Sequence, residues 1–299
     1  MIRVLGTIFA GLLGLAFGSF LNVCLSRWPA GESIVHPRSH CMSCSRTLKW
    51  WENIPLVSWL FLRGRCRSCH AWIGWRYPLV ELAVGALWAY TFRFAAFPLM
   101  GPGFDARSQD ALFVYIELEF VFGIMILCWV LVGLAVLDAE HLWLPDWITL
   151  PGTALGIIFH GAIIGQFQWW LLMNPWPSIS SALVGRLIAA VAAAALILLI
   201  RWIYWLIRRR EGIGLGDAKL MAMLAAWLGL SGALLSFGLG VVLGAIAALI
   251  LLVLPSTREN KDGWAHIKLP LGTFLCVGGI VSSLWGEQII HAYRRWAGF

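Results

Sequence analysis

Charged residues are scarce in this sequence: they make up 12% of its 299 residues, whereas apolar residues make up 60%. This composition, with a mean hydropathy of +0.80, excludes an ordinary soluble globular protein. A bilayer core about 30 Å thick is crossed by roughly 20 apolar residues in a helix, and backbone groups in lipid must be hydrogen-bonded internally. The sequence therefore predicts an all-α polytopic membrane protein.

The chain also lacks internal repeats, low-complexity tracts and a convincing signal-peptide cleavage site. Only Arg3 precedes the first apolar run, and Asn22, Cys24 and Arg27 follow without a small-x-small site, so we predict that this run remains a membrane span. The apolar runs predict about eight spans: Val4 to Leu25, Tyr77 to Leu99, Ala111 to Asp138, Trp147 to Gly165, Ala182 to Ile207, two between Ala218 and Leu254 divided near Leu230 to Gly232, and Leu269 to Ile290.

This pattern predicts three parts in the chain. Residues 1–25 form a first transmembrane helix, residues 26–77 a soluble loop, and residues 78–299 a membrane core with helices two to eight. An aromatic stretch, Gln166 to Ser180, is expected to lie at the membrane interface.

The positive charges indicate how the chain is oriented. Eight of the 22 Lys and Arg lie between Arg27 and Arg76, and others flank the apolar runs. Positive loops remain on the cytoplasmic side, so we expect the soluble loop in the cytoplasm and both termini outside. Because membrane orientation already explains the formal charge of +7, nucleic acid is not an expected partner.

Four of the seven cysteines form two C-x-x-C pairs in the soluble loop: Cys41, Cys44, Cys66 and Cys69. This spacing is typical of a structural zinc site in which four thiolates close a tetrahedral coordination sphere. A disulfide is not expected in a reducing cytoplasm, and no βαβ pattern supports a redox site. His40 and His70 are spare candidates, but a fifth ligand is not needed, so we expect both to be solvated loop residues. A metal would stabilise a loop too short to bury much of a core.

Two carboxylates stand at the ends of apolar runs. Asp138 ends the third predicted span and Asp217 begins the sixth, so both are expected at the cytoplasmic face. Ionisable groups at membrane helices pair, face water or do chemistry. Two neighbouring carboxylates do not easily ionise together, so one keeps a proton while the other activates water, as in aspartyl proteases. Glu140 and Asp146 lie in the adjoining loop and are expected to be solvated, and His141 has no cysteine or serine nucleophile nearby.

Several nearby features allow two interpretations. Gly212, Gly214 and Gly216 permit a tight approach of an extended peptide, and Lys219 either tunes the aspartates or anchors the interface. Asn22 is either a helix-packing group or a functional one, and Glu81 either stabilises a helix N-terminus or acts directly. From these residues alone, a protease and an ion-coupled transporter both remain open.

Longer motifs distinguish between these alternatives. They are Gly18-Ser-Phe-Leu-Asn-Val, the two cysteine pairs, Glu52-Asn-Ile-Pro-Leu-Val-Ser58, Arg76-Tyr-Pro-Leu-Val-Glu81, Asp138 with Leu144-Pro-Asp146, and Gly214-Leu-Gly-Asp-Ala-Lys-Leu220. With these motifs the chain resembles, over nearly its whole length, the type IV prepilin peptidases, which are bifunctional leader peptidases and N-methyltransferases.

The resemblance implies an activity and its residues. Asp138 and Asp217 match the catalytic aspartates, and the four cysteines match the metal-binding motif. The implied substrates are prepilins or type II secretion pseudopilins, cut after glycine and then methylated at the new N-terminus with S-adenosylmethionine. No residue can be assigned to S-adenosylmethionine from the sequence, although the cysteine loop and nearby helix ends are the implied location. Some relatives are peptidases only, but these usually lack the cysteine loop.

Two other classes of function serve as alternatives. An ion-coupled transporter accounts for the membrane carboxylates but leaves the cysteine loop unexplained. A non-enzymatic zinc-bearing assembly factor accounts for that loop but not for the paired aspartates. The sequence does not specify the metal, the oligomeric state or the individual pilin substrates.

Overall fold

The structure is a computed structural model that describes residues 2–95, 110–172, 176–210, 212, 214–253 and 269–298. These residues are almost entirely helical and contain no strand longer than an isolated β-bridge. The helices are α1 (Ile2–Arg27), α2 (Val57–Phe61), α3 (Arg76–Ala95), α4 (Asp110–His141), α5 (Asp146–Leu172), α6 (Trp176–Arg208), α7 (Leu215–Val253) and α8 (Leu271–Trp296).

The predicted all-α membrane fold is confirmed. Five helices in the described chain are long and apolar enough to span a membrane: Arg3–Arg27, Leu118–His141, Ile179–Arg208, Leu215–Leu251 and Leu271–Trp296. The longest, α7, is broken at Gly229, whose φ of 74° lies in a region that favours glycine. If the halves of α7 are counted separately, the described residues contain eight long helical segments, the number that the sequence predicts.

Some boundaries differ from the prediction. The stretch from Gln166 to Ser180 belongs largely to the end of α5 and the start of α6, because its tryptophans and leucines continue the apolar character of both helices. The break within α7 lies at Gly229, one residue before the predicted division. The polar stretch from Ser256 to Lys268, between the last two predicted spans, lies outside the described residues.

The chain divides into two compact units, Met1–Gly133 and Leu134–Phe299. In the first unit, small residues allow α1 and α3 to pack with their backbones close together. A Cβ built on Gly14 would lie 2.9 Å from the Cα of Gly85, and one built on Gly18 would lie 2.7 Å from the Cα of Glu81. This packing places the end of α1 beside the start of α3.

The second unit contains the end of α4 together with α5 to α8. Its buried residues include Leu220, Met223 and Leu224 from the first half of α7. Just beyond the break in α7, the carbonyl of Gly232 accepts hydrogen bonds from Ser236 at 2.7 Å and from Ser282 of α8 at 2.9 Å. The bond from Ser282 connects α7 and α8, whereas the bond from Ser236 lies within α7.

Candidate functional site

Asp138 lies in the last turn of α4 and is buried, with 6% of its surface exposed. Its Oδ2 atom accepts a hydrogen bond of 2.7 Å from the backbone amide of Thr273. The Thr273 hydroxyl lies 3.2 Å from the same oxygen and 3.0 Å from the carbonyl of Ala135. The first amides of a helix have no partner within it, so the start of α8 is well suited to hold a carboxylate.

Asp217 lies in the first turn of α7 and is also buried, with 7% exposed. The backbone amide of Gly214 donates a hydrogen bond of 3.1 Å to its Oδ2 atom. A Cβ on Gly214 would lie 3.4 Å from that oxygen, so the glycine permits a close turn around the carboxylate. The glycine run therefore contacts the aspartate directly.

Leu144 connects the surroundings of the two aspartates. A Cβ on Gly216, next to Asp217, would lie 3.1 Å from the Cβ of Leu144, and one on Gly272 would lie 2.8 Å from its Cδ1 and 2.9 Å from Oδ2 of Asp138. The two carboxylates are close enough for their charges to interact. The structure therefore brings Asp138 and Asp217 together in one site, which has the composition needed for carboxylate chemistry.

The other ionisable residues of this region lie outside that arrangement. Asp146 is exposed and forms an ion pair of 2.6 Å with Lys219, so this lysine contacts Asp146 rather than the buried aspartates. Glu140 and His141 are exposed on the last turn of α4, 3.9 Å apart. These positions agree with the expectation that Glu140 and Asp146 are solvated.

Thr273 and Gly272 were not among the residues predicted for the site. In the sequence, Leu269-Pro-Leu-Gly272 indicated only the start of the last span. A signal was present, since a threonine in the first turn of an apolar helix offers both an amide and a hydroxyl to a neighbouring carboxylate. Its partner lies 135 positions earlier in the chain and could not be inferred from that signal alone.

The four loop cysteines form one cluster in the first unit. The Sγ atoms of Cys41, Cys44, Cys66 and Cys69 all lie within 4.8 Å of one another. The Sγ atoms of Cys41 and Cys69 are 3.7 Å apart. Tetrahedral zinc with Zn–S bonds of about 2.3 Å requires sulfur atoms about 3.8 Å apart, so the cluster fits such an ion.

Both cysteine pairs adopt the same turn. The amide of Cys41 donates to the carbonyl of Arg46, and the amide of Cys66 donates to that of Ala71. An isolated β-bridge flanks each pair, His40 with Thr47 and Arg65 with Trp72. The cluster therefore consists of two similar knuckles. His40 and His70 contribute no atom to it.

The electrostatic surroundings distinguish two of the thiols. Backbone amides of Cys69 and Ser68 stabilise the Cys66 thiolate and lower its pKa to about 6. For Cys69, the lowering effect of the Ala71 amide is outweighed by burial and by the neighbouring thiols, which raise the pKa to about 11. Four sulfur groups this close do not all ionise without a cation between them.

Glu52 stabilises the backbone next to the first cysteine pair. Its side chain is fully buried and accepts a hydrogen bond from Arg46 at 2.7 Å and from the amide of Lys49 at 2.8 Å. Burial alone would raise the pKa of Glu52, but these two donors outweigh it and keep the pKa below its ordinary value. The carboxylate therefore connects two parts of the loop.

A cavity of about 230 Å³ lies between the end of α1, the start of α3 and the cysteine knuckles. Asn22 and Glu81 both line it, and both are buried. Asn22 donates a hydrogen bond from Nδ2 to the carbonyl of Tyr77 at 2.9 Å, which is the helix-packing contact considered above. Glu81 accepts a hydrogen bond from the amide of Leu56 at 2.8 Å, so it also holds the loop against α3.

Comparison with known proteins identifies both halves of the chain. Residues 12–94 match the model of the bacterial peptidase A24 N-terminal domain, and residues 125–249 match that of the type IV leader peptidase family. No solved structure matches the chain significantly.

Curated relatives cover almost the whole chain. A protein of Stutzerimonas stutzeri named prepilin leader peptidase/N-methyltransferase is 32% identical, and the alignment covers 96% of this chain and 93% of that protein. Proteins of the same name from Pseudomonas aeruginosa and Burkholderia pseudomallei are 33% and 34% identical, with 96% and 93% of this chain and 93% and 85% of those proteins covered. The chain therefore belongs to the type IV leader peptidase family.

Proposed function

We propose that the protein is a membrane aspartyl peptidase that removes the leader of type IV prepilins or type II secretion pseudopilins after glycine, and then methylates the new N-terminal residue with S-adenosylmethionine. The observation that carries this proposal is the buried pair Asp138 and Asp217, which lie at the ends of two helices. The chain also covers 93% of the Stutzerimonas stutzeri protein, so both parts of that protein have a counterpart here.

The two aspartates would carry out the peptidase reaction. The ionised carboxylate accepts a proton from a water molecule as the water oxygen attacks the glycine carbonyl carbon. The other carboxylate, which is protonated, donates its proton to the amine nitrogen as the peptide bond breaks. The Thr273 amide and the Gly214 amide hold the two carboxylates in place by the hydrogen bonds described above. No metal ion takes part in this scheme.

The four cysteines would hold a structural zinc ion. Zinc bound by four thiolates has no open position for substrate, so it stabilises the fold and does not take part in catalysis. The segment from Arg38 to Trp75 contains mainly turns and two short helices, and it has little buried apolar surface of its own. The ion would connect its two knuckles.

We place methyl transfer in the cavity beside the cysteine knuckles. When bound, S-adenosylmethionine supplies an electrophilic methyl group. The cavity wall has groups that fit such a ligand: carboxylates for its positive charge, the guanidinium group of Arg67 for its carboxylate, and the indoles of Trp59 and Trp72 for its adenine or sulfonium. The presence of the cysteine segment favours a bifunctional enzyme over a peptidase alone.

The distribution of positive charge predicts how the protein is oriented in the membrane. We expect the cysteine segment and both aspartates on the cytoplasmic side of the inner membrane, and both termini outside. The leader of the substrate would lie at that face while its apolar segment packs beside the enzyme within the bilayer. This would bring the scissile bond to the membrane depth at which α4 ends and α7 begins.

Mass spectrometry of a prepilin incubated with the purified enzyme in detergent tests the proposal. Reactions with and without S-adenosylmethionine are compared with the Asp217→Asn variant. Loss of the leader and gain of one methyl group in the wild type alone is the expected result. Cleavage without methylation would remove the transferase from the proposal. Absence of cleavage of every cognate prepilin, together with ion-driven uptake into proteoliposomes, would replace it with a transporter.

A further inference from the structure

A buried side-chain acceptor on the cavity wall has no hydrogen-bond partner. Asn22 is 2% exposed, and its Nδ2 atom donates to the carbonyl of Tyr77. Because a carbonyl oxygen only accepts hydrogen bonds, this contact fixes the orientation of the amide and leaves Oδ1 as the acceptor without a donor. A buried acceptor of this kind costs free energy, so a ligand that donates to it gains affinity.

Glu81 adds a second acceptor to the same cavity. It is 7% exposed, and its carboxylate bonds with the Leu56 amide and with the Ser19 hydroxyl. An ionised carboxylate has about four acceptor positions, so it can accept further hydrogen bonds. The close approach of α1 to α3 at Gly18 holds the backbones that carry Asn22 and Glu81 next to each other.

Two guanidinium groups of the cavity wall, those of Arg27 and Arg46, are directed at other acceptors. Arg27 is buried and donates to the carbonyls of Ser33 at 2.7 Å and Pro37 at 2.5 Å. Arg46 pairs with Glu52 at 2.7 Å. A ligand group that matches Asn22 Oδ1 and Glu81 must therefore donate several hydrogen bonds and carry positive charge. A primary ammonium group has both properties.

We infer that Asn22 Oδ1 and the Glu81 carboxylate bind a primary ammonium group inside this cavity. The inference rests on the proposed function, which brings two such groups to the enzyme. One is the amino group of the methionyl part of S-adenosylmethionine, and the other is the new N-terminus of the processed pilin. Both have the same chemistry at the atoms that bind, so the experiment must distinguish them.

Calorimetry with the purified full-length enzyme measures the affinities of two pairs of ligands. Each pair represents one of the two sources and compares a ligand that has a free amine with one that lacks it. The first pair is S-adenosylhomocysteine and 5′-methylthioadenosine, which lacks the amino acid portion. The second is a peptide with the sequence of a mature pilin N-terminus and its N-acetylated form. The wild type should bind the member with the free amine more tightly in at least one pair. Asn22→Leu and Glu81→Gln should each reduce that preference about tenfold or more.

The affinity for the member without a free amine should not change in either variant, because that member has no ammonium group to contact Asn22 Oδ1 or the Glu81 carboxylate. The pair in which the preference falls identifies the source of the ammonium group. Glu32→Gln is the matched control: it makes the same change at an exposed carboxylate of the same cavity and should keep the preference. Glu81→Gln is nearly isosteric, and metal content with a single gel-filtration peak verifies that each variant is folded.

A wild type without any preference for the free amine overturns the inference, as does a preference that survives both substitutions. Leader removal and methylation are measured separately by mass spectrometry. An enzyme that methylates its substrate, but whose two variants keep the full preference, would contradict this inference and leave the proposed function intact.

Discussion

The backbone amide of Thr273 donates a hydrogen bond of 2.7 Å to Oδ2 of Asp138. This bond joins the first turn of α8 to the last turn of α4, and the Thr273 hydroxyl lies near the same oxygen. Amides at the start of a helix have no partner within the helix and stabilise an anion placed before them. Asp138 is therefore held in one orientation by a residue that the sequence motifs do not include.

The most direct prediction concerns the two buried aspartates. Asp138→Asn and Asp217→Asn should each lower the rate of leader cleavage roughly 10²- to 10⁴-fold, since an amide can neither accept the proton of water nor donate one to the amine. Single-turnover cleavage followed by mass spectrometry measures the effect. Asp146→Asn is the control. Asp146 is 58% exposed and its ion pair with Lys219 is at the surface, so cleavage should change less than about twofold. Normal cleavage by either of the first two variants would reject the assignment.

Thr273 should act as a positioning residue. Thr273→Val keeps the shape and the amide but removes the hydroxyl, so we expect the cleavage rate constant kcat to fall by about tenfold, with KM little changed. Thr273→Ser retains the hydroxyl and should restore most of the rate. A kcat for the valine variant equal to that of wild type would mean that the hydroxyl bonds only to the Ala135 carbonyl.

Gly272 should be required for space beside Asp138. In Gly272→Ala, the new Cβ would lie 2.9 Å from Oδ2 of Asp138 and 2.8 Å from Cδ1 of Leu144, so the carboxylate must move. Such overpacking costs about 1–3 kcal/mol, and we expect cleavage to slow about 10- to 100-fold. Gly238→Ala is the matched control in the same unit, since a Cβ there meets no atom within 4 Å. Equal rates for the two variants would show that the site accommodates the methyl group.

The cysteine cluster should hold metal through all four thiolates. Cys44→Ser removes one ligand, and we expect the zinc content to fall from about one ion per chain to nearly none. Cys128→Ala changes a cysteine buried in α4 and should leave the zinc content unchanged. Elemental analysis of the purified proteins measures both. Limited proteolysis should cut the segment between Arg38 and Trp75 faster in the Cys44 variant, because the ion stabilises it.

Glu52 should stabilise the same segment independently of the metal ligands. Glu52→Gln removes the charge that Arg46 and the Lys49 amide contact, and a lost hydrogen bond to a buried charged group costs about 1.5–3 kcal/mol. Because the pKa of Glu52 is lowered in the folded protein, its stabilisation is complete above the ordinary carboxyl pKa and is lost as the pH falls through the lowered value.

Limited proteolysis as a function of pH checks this prediction. The difference in cleavage rate between wild type and Glu52→Gln should be large near neutral pH and shrink at acidic pH. A difference that stays constant with pH would mean that the charge of Glu52 does not contribute.

Much of the fold could be predicted because membrane helices are specified locally. A run of about 20 apolar residues forms a helix in lipid whatever its neighbours are, and both ends of α1 and α4 were predicted to within three residues. Helix α8 continues six residues beyond its predicted end. The interfacial stretch from Gln166 to Ser180 was less well predicted. Aromatic residues suit both an interface and an apolar helix, and the pattern alone does not separate the two.

The residue types that form the two sites could also be predicted from the sequence. The spacing of the two C-x-x-C pairs is typical of a zinc site with four cysteine ligands, and the structure brings these four residues into one cluster. Carboxylates at the ends of apolar runs stand out because charge is costly there. These signals depend on residue type and short spacing, which are properties of the sequence itself.

The sequence by itself thus determined the membrane helices, the four cysteines of the cluster and the two buried aspartates. Tertiary structure alone decided that Thr273 holds Asp138, that Lys219 pairs with Asp146, and that the amide of Asn22 bonds to Tyr77 and keeps its oxygen at a cavity. The physical reason is that these contacts join residues 55 to 135 positions apart. Their geometry depends on how closely helices pack, and an apolar pattern specifies that a helix is buried but not which residue faces which.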